Sequence, residues 1–214
     1  MFSKHHRDAR VKWAEEMGMM DDLEWCHVVF SDEKKWNLDD PDGMRYQWVD
    51  TRRPEPLNVR RHTGGGSVMV WGGFVGGKKT QLKVLIGRQD SAKYIATLQT
   101  HLQPLIDKET QIFQQDNASC HKSLVTMEWL QGQNLRVLDW PALSPDLNPI
   151  ENVWGIMTQH IYARGRQYNS VEELKKAILK AWDLVSPETL EGLVLSTRKR
   201  WVKVLTNHGG YISY

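Results

Sequence analysis

Residues 139–154 read "DWPALSPDLNPIENVW". Pro141, Pro145 and Pro149 fall within nine residues, and Glu151 follows two residues after the last of them. Each proline fixes φ and removes a backbone donor, so the segment suits neither a helix interior nor a central strand. Pro149 instead suits the first position of a helix, with Asn148 as its N-cap. Glu151 then lies in the first helical turn, where the helix dipole favours negative charge. The stretch thus delivers one carboxylate on a stiff support. It runs from the end of an expected strand, "LRVLDW" (135–140), into a helix expected from Pro149 to about Arg164.

Upstream, residues 4–19 have helical periodicity, with Ala9, Trp13 and Met17 on one stripe. "EWCHVVFSDEKKW" (24–36) reads as a buried strand, with Val28, Val29 and Phe30 leading to Asp32. "SVMVWGGF" (67–74) and "TQLKVLI" (80–86), joined by "VGGKK", read as a hairpin. A helix over 91–107 with Ser91 as N-cap, a short strand "TQIFQQD" (110–116) and a helix over 121–133 follow. Downstream, helices are expected from Ser170 to about Val185, opened by a Ser170–Glu173 capping box, and from Pro187 to about Asn207. Three early strands, then two more each reached through a helix, predict an α/β fold: a mixed five-stranded sheet flanked by helices.

On this plan Asp32 ends the first strand and Asp116 the fourth, while Glu151 enters a helix. Sites in open α/β sheets form at the carboxyl ends of strands, and Asp32 and Asp116 become neighbours if their strands pair in parallel. Taken singly, each is an ordinary strand-end or helix-start acid. Together they form a set of oxygen ligands, and like charges gather only around a cation. Oxygen-only ligation suits Mg²⁺ or Mn²⁺ rather than zinc, and two such ions suit in-line displacement at phosphorus.

"FSDEKKW", "QQDNASCHKS" and "LSPDLNPIENVW" closely resemble the catalytic domain of mariner-type transposases, in the branch with an Asp-Asp-Glu triad. Thirty-four residues separate Asp116 from Glu151, as in that branch, and "MVWGGF" and the final "GGYISY" are similar to family landmarks. The resemblance spans about residue 4 to the end. It implies a ribonuclease-H-like fold over residues 25–214, preceded by a linker helix (1–24). It also implies an enzyme that cuts DNA at transposon ends and transfers the 3′-hydroxyl ends to TA target DNA. Asp32, Asp116 and Glu151 would be the catalytic metal ligands for Mg²⁺, with Mn²⁺ able to substitute. Asn117, His121 and Asn148 would stand behind them or contact DNA, although His121 reads equally as a plain helix-start histidine. The family further implies nuclear action and a homodimer in the full-length complex. Two other functions remain open: a transposase-derived DNA-binding or assembly module without catalysis, and a ribonuclease-H-like nuclease that cleaves without joining.

Two departures from the family stand out. The N-terminal helix-turn-helix domains of full-length relatives are expected to be absent from this chain. The helix after Glu151 carries uncharged Met157 and Thr158 where many relatives place a basic residue, which puts phosphate contact there in doubt.

Between Asp39 and Gly66 the chain changes character. It carries prolines, a triple glycine, and Arg45, Arg52, Arg53, Arg60 and Arg61 interleaved with Tyr46 and Trp48. This long arginine-rich insertion after the first strand is expected to contact DNA or a second subunit, unless it is a solvated loop.

Composition agrees with one soluble domain: 214 residues, 40% hydrophobic, 25% charged, net charge +2. That net charge alone does not announce a nucleic-acid partner. No apolar run is long enough to span a membrane, and the polar, basic N-terminus does not read as a signal peptide. Cys26 and Cys120 form no disulfide framework. Each precedes a histidine, but zinc needs four converging ligands, and strand neighbours Cys26 and His27 would face opposite ways. "GGFVGGKK" (72–79) mimics a P-loop, yet Lys79 stands at the Ser/Thr position and the segment joins strand to strand, so no nucleotide site is expected.

Overall fold

The computed structural model of the protein describes residues 2–39 and 66–213. Helices α1 (Lys4–Met17) and α2 (Asp22–Cys26) lead into β1 (Val28–Asn37). β2 (Ser67–Val75), β3 (Lys78–Lys79) and β4 (Lys83–Leu85) follow, then α3 (Ser91–Thr97), β5 (Ile112–Phe113), α4 (Leu124–Gly132) and β6 (Arg136–Val137). Four helices complete the chain: α5 (Ile150–Ile161), α6 (Val171–Asp183), α7 (Pro187–Leu195) and α8 (Thr197–Thr206).

The sheet runs β3-β2-β1-β5-β6, with β4 also on β2. β1 is antiparallel to β2 and parallel to β5, with Val29 opposite Phe113, and β5 is parallel to β6. It is the expected mixed sheet, except that the second hairpin strand is broken. The Thr80 amide donates to the Gly73 carbonyl and the Gly73 amide to the Thr80 hydroxyl. The strand therefore starts early, in the expected linker "VGGKK", where Lys78 and Lys79 form β3 opposite Val75 and Phe74, and after the interruption only Lys83–Leu85 of "TQLKVLI" pair as β4, with Met69 to Trp71.

Strand alternation sorts β1 between two cores. Val28, Phe30 and Trp36 join the larger core with α1, α2 and α5 to α8, while Val29 joins Trp71, Phe113, Tyr94 and Leu98 under α3 and α4. Asp32 has the parity of Phe30, and Glu33 that of Val29.

Other boundaries differ for local reasons. Cys26 ends α2 and His27 caps it, so neither lies in a strand; Asp21 and Glu24 form a capping box that turns this segment into helix. Asp90, not Ser91, caps α3 by accepting from the Lys93 amide at 2.9 Å. α3 then widens into a π-helical turn over Leu98–Leu102. The single helix expected from Pro187 breaks at Ser196, whose hydroxyl donates to the Leu193 carbonyl and accepts from Arg200, competing with the backbone ladder. Among the described residues, no helix is long and apolar enough to cross a membrane.

Candidate functional site

Asp32, Asp116 and Glu151 line one cavity of about 470 Å³. Asp32 does not end its strand as expected: it sits midway along the central strand β1, opposite Gly72 of β2, because antiparallel pairing with β2 carries β1 on to Asn37. Asp116 lies three residues beyond β5, and Glu151 is the second residue of α5. Asn148 Oδ1 accepts from the Ile150 amide at 3.2 Å and so caps α5. Glu33, Asn117 and Asn148 also line the cavity, and its outer wall runs from Trp140 to Pro145.

Behind the acids lies a buried hydrogen-bond knot. Gln114 Oε1 accepts from the Ser31 amide and from Asn148 Nδ2, each at 3.2 Å. Asn148 Nδ2 also donates to the Ser31 carbonyl at 3.0 Å, and the Ser31 hydroxyl donates to the Gln114 carbonyl at 2.9 Å. Ser31, Gln114 and Asn148 precede Asp32, Asp116 and Glu151 by one, two and three residues. The backbones that present the acids are therefore tied together in the protein interior, where hydrogen bonds are strong and their loss costly.

Each acid has its own electrostatic setting. Burial, and then the nearby Glu151 and Glu33 charges, push the Asp32 carboxyl well above the usual range; the Trp154 indole donates to its Oδ2 at 3.1 Å. Burial also raises Glu151, with Lys34 opposing. For Asp116, burial is outweighed by donors from His121 and the Ala118 amide, and its pKa falls. His121 Nδ1 lies 2.6 Å from Asp116 Oδ1, and its Nε2 lies 3.4 Å from Glu33 Oε1. Burial works against a charged His121, yet the hydrogen bonds and charges of Asp116 and Glu33 prevail and hold its pKa at about 10. Its ring stacks on Tyr94, with centroids 3.9 Å apart, and Tyr94 donates to Gln115 Oε1 at 2.8 Å.

Gly72 explains how an indole reaches Asp32. A Cβ at this position would lie 3.1 Å from the Trp154 ring and 3.2 Å from that of Trp182. Without one, both rings pack on the sheet beside β1.

The remaining expected site residues divide. Asn117 Nδ2 donates to the Trp140 carbonyl at 2.8 Å, which ties the Asp116 loop to the cavity wall. Met157 is in the core, while Thr158 accepts from the Trp36 indole and donates to the Trp154 carbonyl, so the fold absorbs both. Arg45, Arg52, Arg53, Arg60 and Arg61 lie outside the described residues. Sequence reasoning missed Ser31, Glu33, Gln114 and Gln115. The available signal was two adjacent glutamines closing an apolar strand immediately before an aspartate.

Among the described residues, no three His, Cys, Asp or Glu side chains are gathered so as to hold a metal ion as they stand. The donor chemistry nevertheless suits a hard divalent cation. The cavity presents carboxylates without sulfur, and two of those carboxyls are raised by burial, with mutual repulsion adding to it at Asp32.

Residues 27–175 match the family described as DDE superfamily endonuclease. The transposable element Tc3 transposase of Caenorhabditis elegans is 40% identical over 218 residues, covering 100% of this chain and 65% of that protein. The transposable element Tcb2 transposase of Caenorhabditis briggsae is 33% identical over 218 residues, covering 97% of this chain and 77% of that protein. Among solved structures, the Mos1 transposase paired-end complex with left transposon end superposes with a TM-score of 0.86 at 22% identity, over 100% of this chain and 65% of that one. The Mos1 transposase catalytic domain with Raltegravir and Mg gives 0.75 at 19% identity, over 100% of both chains. These likenesses bear out the expected ribonuclease-H-like architecture. This chain spans just under two thirds of the Tc3 protein's length.

Proposed function

This chain belongs to the DDE superfamily endonucleases, and we propose that it is the catalytic domain of a transposase that cuts DNA at transposon ends and transfers the 3′-hydroxyl ends to TA target sites. The observation that carries this reading is the shared cavity of Asp32, Asp116 and Glu151 on hydrogen-bonded supports. The Tc1-type relatives are named as transposases, and solved Mos1 assemblies contain transposon ends, Mn or Mg.

Asp32, Asp116 and Glu151 would hold the divalent cations, Mg²⁺ with Mn²⁺ as a substitute. Such cations would supply Lewis-acid chemistry there, favouring attack of an oxygen on phosphorus and departure of the leaving oxygen. The protein's own groups do the positioning. His121 and the Ala118 amide both donate to Asp116 Oδ1 and fix that carboxylate. The Trp154 indole holds Asp32, and the dipole of α5 favours an ionised Glu151. The cavity wall from Trp140 to Pro145 would exclude water and seat the DNA strand end. We further propose that the full-length protein acts as a homodimer in the nucleus, with the arginine-rich insertion contacting DNA or the second subunit.

The test is strand cleavage and joining of a transposon-end duplex with Mn²⁺, comparing the parent with Asp116→Asn. The reading expects product from the parent and none from a folded variant. Equal product from both overturns it. Metal-independent DNA binding without chemistry in the parent favours the non-catalytic module instead.

A further inference from the structure

Asp146 sits among the catalytic-looking residues of "SPDLNPIE", yet its carboxylate does not line the cavity. It is fully buried and points to Arg10 of α1, also fully buried, 136 residues earlier in the chain. Arg10 Nη1 and Nη2 donate to Asp146 Oδ1 and Oδ2 at 2.8 and 2.6 Å, a two-pronged pairing that fixes orientation as well as distance. The same guanidinium donates to the Ser144 hydroxyl at 2.6 Å and to the carbonyls of Gly209 and Gly210. Asp146 Oδ2 also accepts from the Ile212 amide at 3.0 Å, and Arg200 of α8 donates to the Asp146 carbonyl at 3.1 Å.

Elements from the two ends of the described chain therefore converge on the back of one short segment. Its front, Ser144, Pro145 and Asn148, is cavity wall, and its end is Glu151. A buried ion pair adds little net stability compared with apolar packing, although breaking one is costly; its use here is to define conformation.

We infer that Arg10 is a positioning residue for Glu151, acting through Asp146, and that α1 braces the reaction cavity from behind. The metal readout below rests on the function proposed above.

The experiment compares the parent, Arg10→Lys and Val194→Ala at a temperature where circular dichroism shows all three folded. Arg10→Lys keeps the charge and loses the fork. Val194→Ala opens the same core, where Val194 is fully buried in α7, and serves as a purely structural loss. Two quantities are read: amide exchange over residues 144–152 and Mn²⁺ affinity by calorimetry. In Arg10→Lys, exchange over this segment rises at least tenfold and Mn²⁺ affinity falls about tenfold, the usual size of an outer-shell effect. Val194→Ala changes neither. Parent-like protection and affinity in folded Arg10→Lys overturn the inference, as does an equal change in Val194→Ala. A parent that binds no Mn²⁺ counts against the proposed function, and exchange alone then decides the role of Arg10. If Arg10→Lys does not fold, Arg200→Lys, which reaches Asp146 through its carbonyl, takes its place with the same readouts.

Discussion

The side-chain amide of Asn148 donates to Oε1 of Gln114 at 3.2 Å, across a sequence separation of 34 residues. Asn148 is also the cap of α5, so one side chain starts the helix and joins it to β1 and the β5 exit. Asn148→Asp keeps the capping oxygen but replaces the shared donor with an acceptor facing two acceptors. Urea unfolding of Asn148→Asp is expected to show a loss of about 2–3 kcal/mol. A loss below about 0.5 kcal/mol would mean that the knot does not bind these elements together.

Asp32 bears the opposite burden. Burial, Glu151 and Glu33 all disfavour its charge. Without metal, Asp32→Asn is therefore expected to be more stable than the parent by on the order of 1 kcal/mol, because it removes that repulsion and keeps an acceptor for Trp154. With Mn²⁺ the order reverses, since only the parent gains from binding. Thermal melts with and without Mn²⁺ check both halves. A parent that melts unchanged with Mn²⁺, or an Asn variant that gains as much as the parent, would remove Asp32 from the metal site.

Gly72 has no room for a side chain: an added Cβ would sit 2.9 Å from Leu82 Cδ1 and close to both indoles. Gly72→Ala is expected to cost about 1–3 kcal/mol by overpacking, and to weaken Mn²⁺ binding by displacing Trp154 from Asp32. Calorimetric melting and Mn²⁺ titration of the same sample test this. Retained stability would show that the ring cluster yields to the methyl group.

Lys79, the misleading lysine of "GGFVGGKK", donates to the carbonyls of Trp182, Asp183 and Val185 and caps the end of α6. Lys79→Met is expected to lower stability by about 1–2 kcal/mol through loss of the cap and of the favourable dipole interaction. Mn²⁺ affinity should be unchanged. A parallel fall in affinity would tie this cap to the site.

The three acids were legible because each follows a strong local signal: apolar residues before Asp32 and Asp116, prolines before Glu151. The extent of β1 was not, because pairing with β2 carries the strand on through the charged residues Glu33 to Lys35 as far as Asn37. Hidden from the sequence were partners far apart along it. Ser31 and Gln114 lie 83 residues apart, and Arg10 and Asp146 lie 136 apart, so no periodicity links them. β5 and β6 have only two residues each, and their pairing depends on flanking bonds such as Leu138 to Phe113 rather than on strand propensity. The breaks at Thr80 and Ser196 likewise arise from hydroxyls turned onto backbone groups, a local competition that hydrophobic patterning does not reveal.

The indole on Asp32 also makes the site visible to light. Trp154 shares its hydrogen with that carboxylate and sits 5.7 Å from Trp36 and 5.6 Å from Trp182, ring centre to ring centre. An excited state formed on any of the three is within easy transfer distance of the others. The trio thus works as a built-in antenna whose emission depends on the field at Asp32. Neutralising that carboxylate, by a proton or a cation, would shift the colour and lifetime of the emitted light without an attached dye.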